Sequence, residues 1–322
     1  MKRILTGIQS SGIPHLGNIL GAIQPSIKLS KKTGLESFLF IADLHSYTQI
    51  KSANLLKKNT FETASAWLAC GLDPEKTVFY KQSDIPEVTE LSWYLSCFFP
   101  YNRLKLAHAF KDKSTNLKNV NSGLFYYPML MAADILLYDA DIVPVGKDQL
   151  QHIEFTRDIG IKFNNHYGKI FKIPNSKTTK NADTIPGIDN QKMGKSKNNI
   201  INIFENDSDL RKQIMKIQTD SKNINEPKDY NSCTIFKIFN LIANESEILD
   251  LKKNYIEGSI GYGDAKKLLF EKIVYNFKNE RQKFKDYKLN PDEVESKLKI
   301  GSEKAKSVAK TTLKRIRSKL GY

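Results

Sequence analysis

Apolar strands and helices alternate from the first residues of this chain. Ile4-Leu5 forms a short apolar strand, and residues 16–33 read as a helix ending in Lys31-Lys32-Thr33-Gly34, cations followed by a glycine. Ser37-Phe38-Leu39-Phe40-Ile41-Ala42 is a continuous apolar run, the mark of a strand buried on both faces. Residues 53–70 form the next helix, stopped at Gly71-Leu72-Asp73-Pro74, and Thr77-Val78-Phe79-Tyr80 a third strand. Short strands separated by helices imply parallel pairing, hence an α/β fold with a doubly wound sheet. Ligands of such sheets collect outside the carboxyl ends of the strands. The loop after the first strand, Asp43 with His45, and Ser83 with Asp84 should therefore face one crevice.

That first loop, Thr6 to Ala22, carries two serines, a proline and glycines at Gly7, Gly12, Gly17 and Gly21. A glycine-bearing turn into a helix N-terminus suits an anion, because unpaired N–H groups and the positive dipole end point at the ligand. It equally suits an ordinary turn between strand and helix. Two familiar phosphate loops are excluded. The glycines do not spell G-x-G-x-x-G, and Gly194-Lys195-Ser196 lacks the Walker glycine, since that position is Asp189.

The chain has 322 residues, 40% of them hydrophobic, enough to bury one large or two smaller cores. No apolar run approaches the ~20 residues of a membrane helix, and Met1 to Gly7 lacks a signal-peptide core. The three cysteines, Cys70, Cys97 and Cys233, lie far apart. They read as free thiols of a reducing compartment, which predicts a cytoplasmic protein and disfavours a cysteine-held metal. Fifty Lys+Arg against 35 Asp+Glu give a net charge of +15. Such an excess attracts polyanions, nucleic acid first, although Lys and Asn are abundant throughout.

Further along, Tyr127, Met131 and Asp134 fall on one face of a helix whose first turn Pro128 would suit. Asp134 is flanked by apolar residues, and a carboxylate buried there needs a partner. That partner is either an internal salt bridge or a ligand N–H in an aromatic-lined pocket. Ile142-Val143-Pro144-Val145 is a fourth strand, running into Gly146-Lys147-Asp148-Gln149 with Asp148 placed as an N-cap. His152 and Glu154 are two apart and share no helix face, so no metal is assigned. Residues 110–119 and 175–191 read as polar loops. Lys192-Met193-Gly194-Lys195-Ser196-Lys197 is a compact cationic loop. From about residue 205 helical patterns dominate, at 208–218, 234–243, 245–256, 262–285 and 291–320. Residues 304–319 hold seven Lys/Arg and no acid.

These motifs together resemble one family. Gly7-Ile8-Gln9-Ser10-Ser11-Gly12 with His15-Leu16-Gly17-Asn18 is similar to the first signature of class I aminoacyl-tRNA synthetases, and Lys192-Met193-Gly194-Lys195-Ser196 to the second. With Phe40 to His45, Tyr127 to Tyr138 and Val145 to His152, the set resembles the bacterial tryptophanyl-tRNA synthetases over essentially the whole chain. The resemblance implies a Rossmann-like catalytic domain (1–204), a helical anticodon-binding domain (205–290), and a basic C-terminal helix (291–322) that is a candidate for packing back on the first. It implies the substrates ATP and L-tryptophan, Mg²⁺ accompanying the phosphates, tRNA(Trp) as partner, and a homodimer.

Carried over by position, Gln9, Ser10, Ser11, Gly17 and Asn18 would hold adenosine and the α-phosphate. Gly146, Lys147 and Asp148 would border the ribose, and the backbone near Ile185 the adenine. Lys192, Met193, Gly194, Lys195 and Ser196 would close on the phosphates, with Lys111 and Lys113 as further candidates. His15, Asn18, Lys192, Lys195 and Ser196 would stabilise the transition state. Asp134 would accept the indole N–H, Met131, Val143 and Val145 would wall the ring, and Tyr127, Gln149, His45 and Gln9 would complete the amino-acid pocket. The chain departs from the family pattern at Gly194, usually serine, at Lys147, often glutamate, and at Ser10, commonly proline. Tyrosyl-tRNA synthetase is the closest alternative. A non-catalytic tRNA-binding or regulatory paralogue is the alternative of another class.

Overall fold

The computed structural model describes residues 1–107, 120–146, 149–178 and 185–322. Five strands form one parallel sheet: β1 Lys2–Ile8, β2 Leu35–Ile41, β3 Val78–Lys81, β4 Ile142–Val145 and β5 Asn175–Thr178, in the order β3-β2-β1-β4-β5. Side chains alternate across the sheet. Leu39, Ile41 and Phe79 enter one buried cluster, whereas Phe38, Phe40, Val78 and Tyr80 enter the other. Helices cover both faces, as the near-continuous apolar strands require.

In chain order the helices near the sheet are α1 Leu16–Asn18, α2 Gln24–Ser30, α3 Asp43–Tyr47, α4 Ala53–Ala69, α5 Glu87–Phe98, α6 Tyr101–Leu104, α7 Ser122–Leu136 and α8 Leu150–Tyr167. The second half is α9 Asp207–Met215, α10 Thr234–Ile242, α11 Glu245–Glu257, α12 Tyr262–Asn276, α13 Lys278–Leu289 and α14 Pro291–Leu320. The first buried cluster continues from Leu16 and Trp67 under the sheet into Leu210, Leu251, Ile273 and Phe284. The two halves thus share apolar surface. No helix among the described residues is long and apolar enough to cross a membrane.

Three local readings are corrected. The polar stretch after Pro174 begins with strand β5. As an edge strand with an Asn-Ser-Lys-Thr sequence it has no apolar alternation to betray it. Helix α7 starts at Ser122, capped by Asn121, whose side chain accepts from the Leu124 N–H. Pro128 therefore sits inside the helix, where its missing N–H leaves the Leu124 carbonyl without its helical donor. The single helix expected over 262–285 is two, separated at Phe277, whose side chain is buried.

The last helix, α14, packs over the β3 edge of the sheet and buries it. Gly301 lies against β3 so closely that a Cβ there would stand 1.8 Å from the Phe79 carbonyl oxygen. Ser302 Oγ donates to Asp84 Oδ2 at 2.6 Å, and Lys81 Nζ to Glu295 Oε2 at 2.9 Å. Ala305, Ala309, Leu313 and Ile316 enter the second cluster. The obstruction at Gly301 is backbone and cannot rotate away, so Gly301→Ala should lower the unfolding free energy by ~1–3 kcal/mol or more. Gly263, with open space around it, is the control. Urea unfolding should show Gly263→Ala near wild type and Gly301→Ala well below it.

Candidate active site

The carboxyl end of β1 opens into a turn at Gly12, whose φ of +119° favours glycine. Helix α1 then starts behind His15. His15 Nδ1 accepts the Asn18 N–H at 3.2 Å, while Asn18 Oδ1 accepts the His15 N–H at 3.2 Å, a reciprocal capping box. An accepting Nδ1 fixes the tautomer, so the ring proton sits on Nε2 as a donor. Burial, reinforced by the charge of Lys195, lowers the His15 pKa to about 4. The imidazole is neutral at pH 7. The helix continues through a π turn, Ile19–Ile23, before α2.

The low His15 pKa carries a stability consequence. The unfolded group titrates near 6.5 and the folded one near 4. The folded state thus binds fewer protons below pH 6.5, and stability falls by roughly 1.4 kcal/mol per pH unit down to pH 4. His15→Asn keeps a capping side chain without this titration. The wild-type advantage over His15→Asn, measured by urea unfolding at pH 7, 6 and 5, should shrink once the pH passes below 6.5.

The cationic loop is held by buried contacts. Met193 is buried among the apolar side chains behind the first loop, and its sulfur accepts the Gly17 N–H at 3.3 Å. The Met193 N–H donates to the Ile185 carbonyl at 3.0 Å, and Pro186 bridges Lys192. Asn199, 1% exposed, braces the loop: Oδ1 accepts the Gly194 N–H at 2.8 Å, and Nδ2 donates to Asp189 and to the Lys192 carbonyl. Only glycine fits at 187, where a Cβ would meet the Asn199 carbonyl at 2.4 Å. Gly194 has open space around it and an ordinary extended φ of −165°. The side chain missing there relative to the family pattern is not excluded by packing.

Lys195 Nζ reaches across to the first loop and donates to the Gly12 carbonyl at 2.6 Å. A cavity of about 210 Å³ lies between, lined by Gln9, Ser11, Gly12, Asn18 and Lys195 with Ile8 and Pro14. Burial brings the Lys195 pKa down to about 8, against the opposing pull of Glu62. A desolvated ammonium beside a helix N-terminus gains most from an arriving anion. Lys192 and Ser196 are exposed on the same loop.

A second constellation stands at the carboxyl ends of β2 and β3. Asp134 on α7 is 3% exposed. Its Oδ2 lies 2.9 Å from His45 Nε2, and Gln82 Nε2 donates to Oδ1 at 2.8 Å and to Oδ2 at 2.9 Å. Burial raises the Asp134 pKa, the His45 and Gln82 hydrogen bonds oppose the rise, and the charge of Asp43 adds to it. Asp43 accepts both the backbone N–H and the hydroxyl of Ser83. Beside Asp134, the Tyr127 hydroxyl lies 2.7 Å from His152 Nε2, and the His45 and Tyr127 rings meet edge to face at 6.2 Å. Val143 is buried, while Met131 and Val145 are half-buried at the margin of the same core. Gly146 accepts the Gln149 N–H at 3.0 Å, where α8 begins.

The structure therefore brings Gln9, Ser11, Asn18 and Lys195 to one cavity, while His15, Gly17 and Met193 brace the loops that form it through the Asn18 cap and the Met193 sulfur on the Gly17 N–H. It gathers His45, Tyr127 and Asp134 at another point. Ser10 has a different place. Its hydroxyl is fully buried in a chain from Thr60 through Ser10 and Ser46 to the Ala42 carbonyl, so it links elements within the protein. Asp134 has internal partners, as the first of its two alternatives required, and its neighbours are polar as well as aromatic. Lys111, Lys113, Lys147 and Asp148 lie outside the described residues. Sequence reasoning missed Gln82 and Asn199. The signal for Gln82 was its position directly after strand β3, Val78–Lys81, at the end where ligands collect.

The model of the class I tRNA synthetases (W and Y) matches residues 1–278. The chain is 43% identical over 319 residues to the tryptophan--tRNA ligase of Campylobacter jejuni, covering 99% of each. It is 44% identical over 324 residues to that of Fusobacterium nucleatum, covering 100% of this chain and 98% of the relative. The crystal structure of the Campylobacter jejuni tryptophanyl-tRNA synthetase complexed with ADP and tryptophan matches with a TM-score of 0.94 at 42% identity. That match spans 99% of this chain and 100% of the other. On fold, signature loops and full-length identity alike, the chain belongs to the class I tRNA synthetases of the tryptophan and tyrosine type.

Proposed function

We propose that the chain is a tryptophan--tRNA ligase, activating L-tryptophan with ATP and charging tRNA(Trp). One observation carries this reading. A lysine-bridged cavity and a buried carboxylate stand at the carboxyl ends of neighbouring parallel strands. The relative that matches at a TM-score of 0.94 is complexed with ADP and tryptophan together.

In the first step a tryptophan carboxylate oxygen attacks the α-phosphorus of ATP. An O–P bond forms, the bond to the β-phosphate oxygen breaks, and pyrophosphate leaves with the electron pair. In the second step a ribose hydroxyl of the terminal adenosine of tRNA attacks the acyl carbon, and AMP leaves. Positioning and charge neutralisation supply most of the catalysis of phosphoryl chemistry. His15, neutral and protonated on Nε2, would donate to the α-phosphate without adding a full charge. Lys195 would exchange the Gly12 carbonyl for phosphate oxygens, joined by Lys192 and Ser196. Asn18 holds the helix start that would face the phosphates, and Gln9, Ser11 and Gly17 would line the nucleotide. Gly146 and Ile185 would border ribose and adenine through their backbone. Mg²⁺ would arrive on the phosphates and neutralise part of their charge.

Asp134 would accept the indole N–H, with Met131, Val143 and Val145 beside the ring and Tyr127, Gln149, His45 and Gln9 toward the amino-acid end. The basic helical half would hold the tRNA, including its anticodon. Dimerisation is part of the reading: Tyr101, Leu106 and Tyr126 are 62%, 57% and 46% exposed, and Tyr101 packs on Phe125. Exposed apolar clusters of this kind mark contact surfaces. The whole reading is tested by charging a tRNA(Trp) transcript with labelled tryptophan. Acid-stable, base-labile label on the tRNA is expected. Retention of label by a tRNA(Tyr) transcript given tyrosine would favour the tyrosine enzyme instead.

A further inference from the structure

We infer that Gln82 is a positioning residue for tryptophan specificity, orienting the Asp134 carboxylate so that one Oδ1 lone pair is left for the indole N–H. The inference rests on the proposed role of Asp134. Gln82 is 1% exposed and follows β3 directly. Its amide orientation is fixed from both sides. Oε1 accepts the His45 N–H at 3.4 Å, which turns Nε2 toward Asp134, where it donates to Oδ1 at 2.8 Å and Oδ2 at 2.9 Å. His45 Nε2 occupies Oδ2 as well, at 2.9 Å. A carboxylate offers about two acceptor positions per oxygen. Two donors meet Oδ2 and one meets Oδ1, so the acceptor position left is on Oδ1.

The same donors do a second thing. A carboxyl buried this deeply is pushed toward its neutral form, and a neutral carboxyl can rotate and donate as well as accept. Such a group would no longer require an N–H on its ligand. Gln82 keeps the group an acceptor, which is the condition for rejecting rings without a donor. The turn that carries Gln82 is itself anchored. Its neighbour Ser83 is bonded to Asp43 at 2.9 Å through the backbone, and Asp84 to Ser302 of α14 at 2.6 Å. The amide is thus held by the sheet, by α3 and by the C-terminal helix.

The probe is β-(benzothiophen-3-yl)alanine, in which sulfur replaces the indole N–H at nearly the same shape. The readout is its kcat/KM relative to tryptophan in ATP–pyrophosphate exchange. Gln82→Met fills the same space without donors, and Gln82→Asn keeps an amide but withdraws it by one methylene, so one covers failure of the other to fold. Both should narrow the discrimination by about 10- to 100-fold and raise the KM for tryptophan, with the KM for ATP nearly unchanged. Gln82→Glu, which sets like charges against each other, should be worse than Met. If the wild type discriminates strongly and the Met and Asn variants discriminate equally well, Gln82 only fills space and the inference is overturned while the reaction stands. A wild type that does not discriminate overturns the role of Asp134 along with it.

Discussion

Asp134→Ala is expected to abolish most of the preference for tryptophan over phenylalanine. On the proposed role, the carboxylate held by His45 and Gln82 keeps one acceptor position for a donor on the ligand. Sites of this kind reject analogues without the donor by factors of ~10⁴–10⁵. A purely apolar pocket distinguishes substrates differing by one methylene by only ~10–200-fold. The ratio of kcat/KM values in the exchange reaction should therefore fall by about two orders of magnitude or more. The variant also leaves the buried Gln82 amide and His45 ring without their acceptor, so the KM for tryptophan rises as well. Stability should fall with it, because Asp134 ties α3, α7 and the turn after β3 together. Asp134→Asn separates the effects. It keeps the shape, and it can accept through one oxygen, yet it sets an amide donor against the Gln82 donor or the His45 ring. A Phe/Trp ratio unchanged in both variants would remove Asp134 from recognition.

The second large effect is at Lys195. Its ammonium bridges the two loops at the Gly12 carbonyl, and no acidic side chain among the described residues forms an ion pair with it. On the proposed mechanism, Lys195→Ala removes the cation that would meet the charge developing on the departing pyrophosphate. Losses for a single stabilising group of this kind are ~10²–10³ in kcat. The loss should appear in kcat more than in the KM for ATP, since the contact strengthens in the transition state. The pH profile gives an independent reading. With a pKa of about 8 in the free protein, Lys195 is charged below that pH and neutral above it. The kcat/KM for ATP should then fall up to tenfold per pH unit above pH 8. Bound phosphate raises the pKa, so the limb in kcat moves to higher pH. Lys195→Arg, which stays charged throughout, should flatten the limb whatever its rate.

The parts of the fold that declared themselves are those where burial forces composition. Ser37 to Ala42 had to be a central strand because its apolar residues do not alternate, and β2 indeed buries both faces. Ile142 to Val145 is also a strand, but only Val143 is buried, and its neighbours are half-buried. Asp134 was visible because a lone carboxylate in Met-Ala-Ala-Asp-Ile-Leu is costly without a partner. What stayed hidden lies where local composition is silent. β5 is a polar edge strand. Pro128 suited a helix start, but the capping Asn121 moved that start upstream. Ser10 and Asn199 carry side chains common in solvated loops, and only the surrounding fold turns them inward to bind Ser46 or the Lys192 carbonyl. Gln82 escaped for the same reason. An amide after a strand is unremarkable until the carboxylate it faces arrives from α7, 52 residues later.

The two loops that frame the cavity illustrate the division. Their separate sequences suggested an anion-binding turn and a cationic loop. Their contact, Met193 on Gly17 and Lys195 on Gly12, spans more than 170 residues and exists only in three dimensions.

This contact and the Asp134 pocket, on the proposed function, serve one reaction, the activation of tryptophan by ATP. The most direct measurement is amino-acid-dependent exchange of labelled pyrophosphate into ATP with the full chain. Exchange with L-tryptophan is expected, and none above background with L-tyrosine or L-phenylalanine. Exchange driven by tyrosine, or none with any of the three, would contradict it.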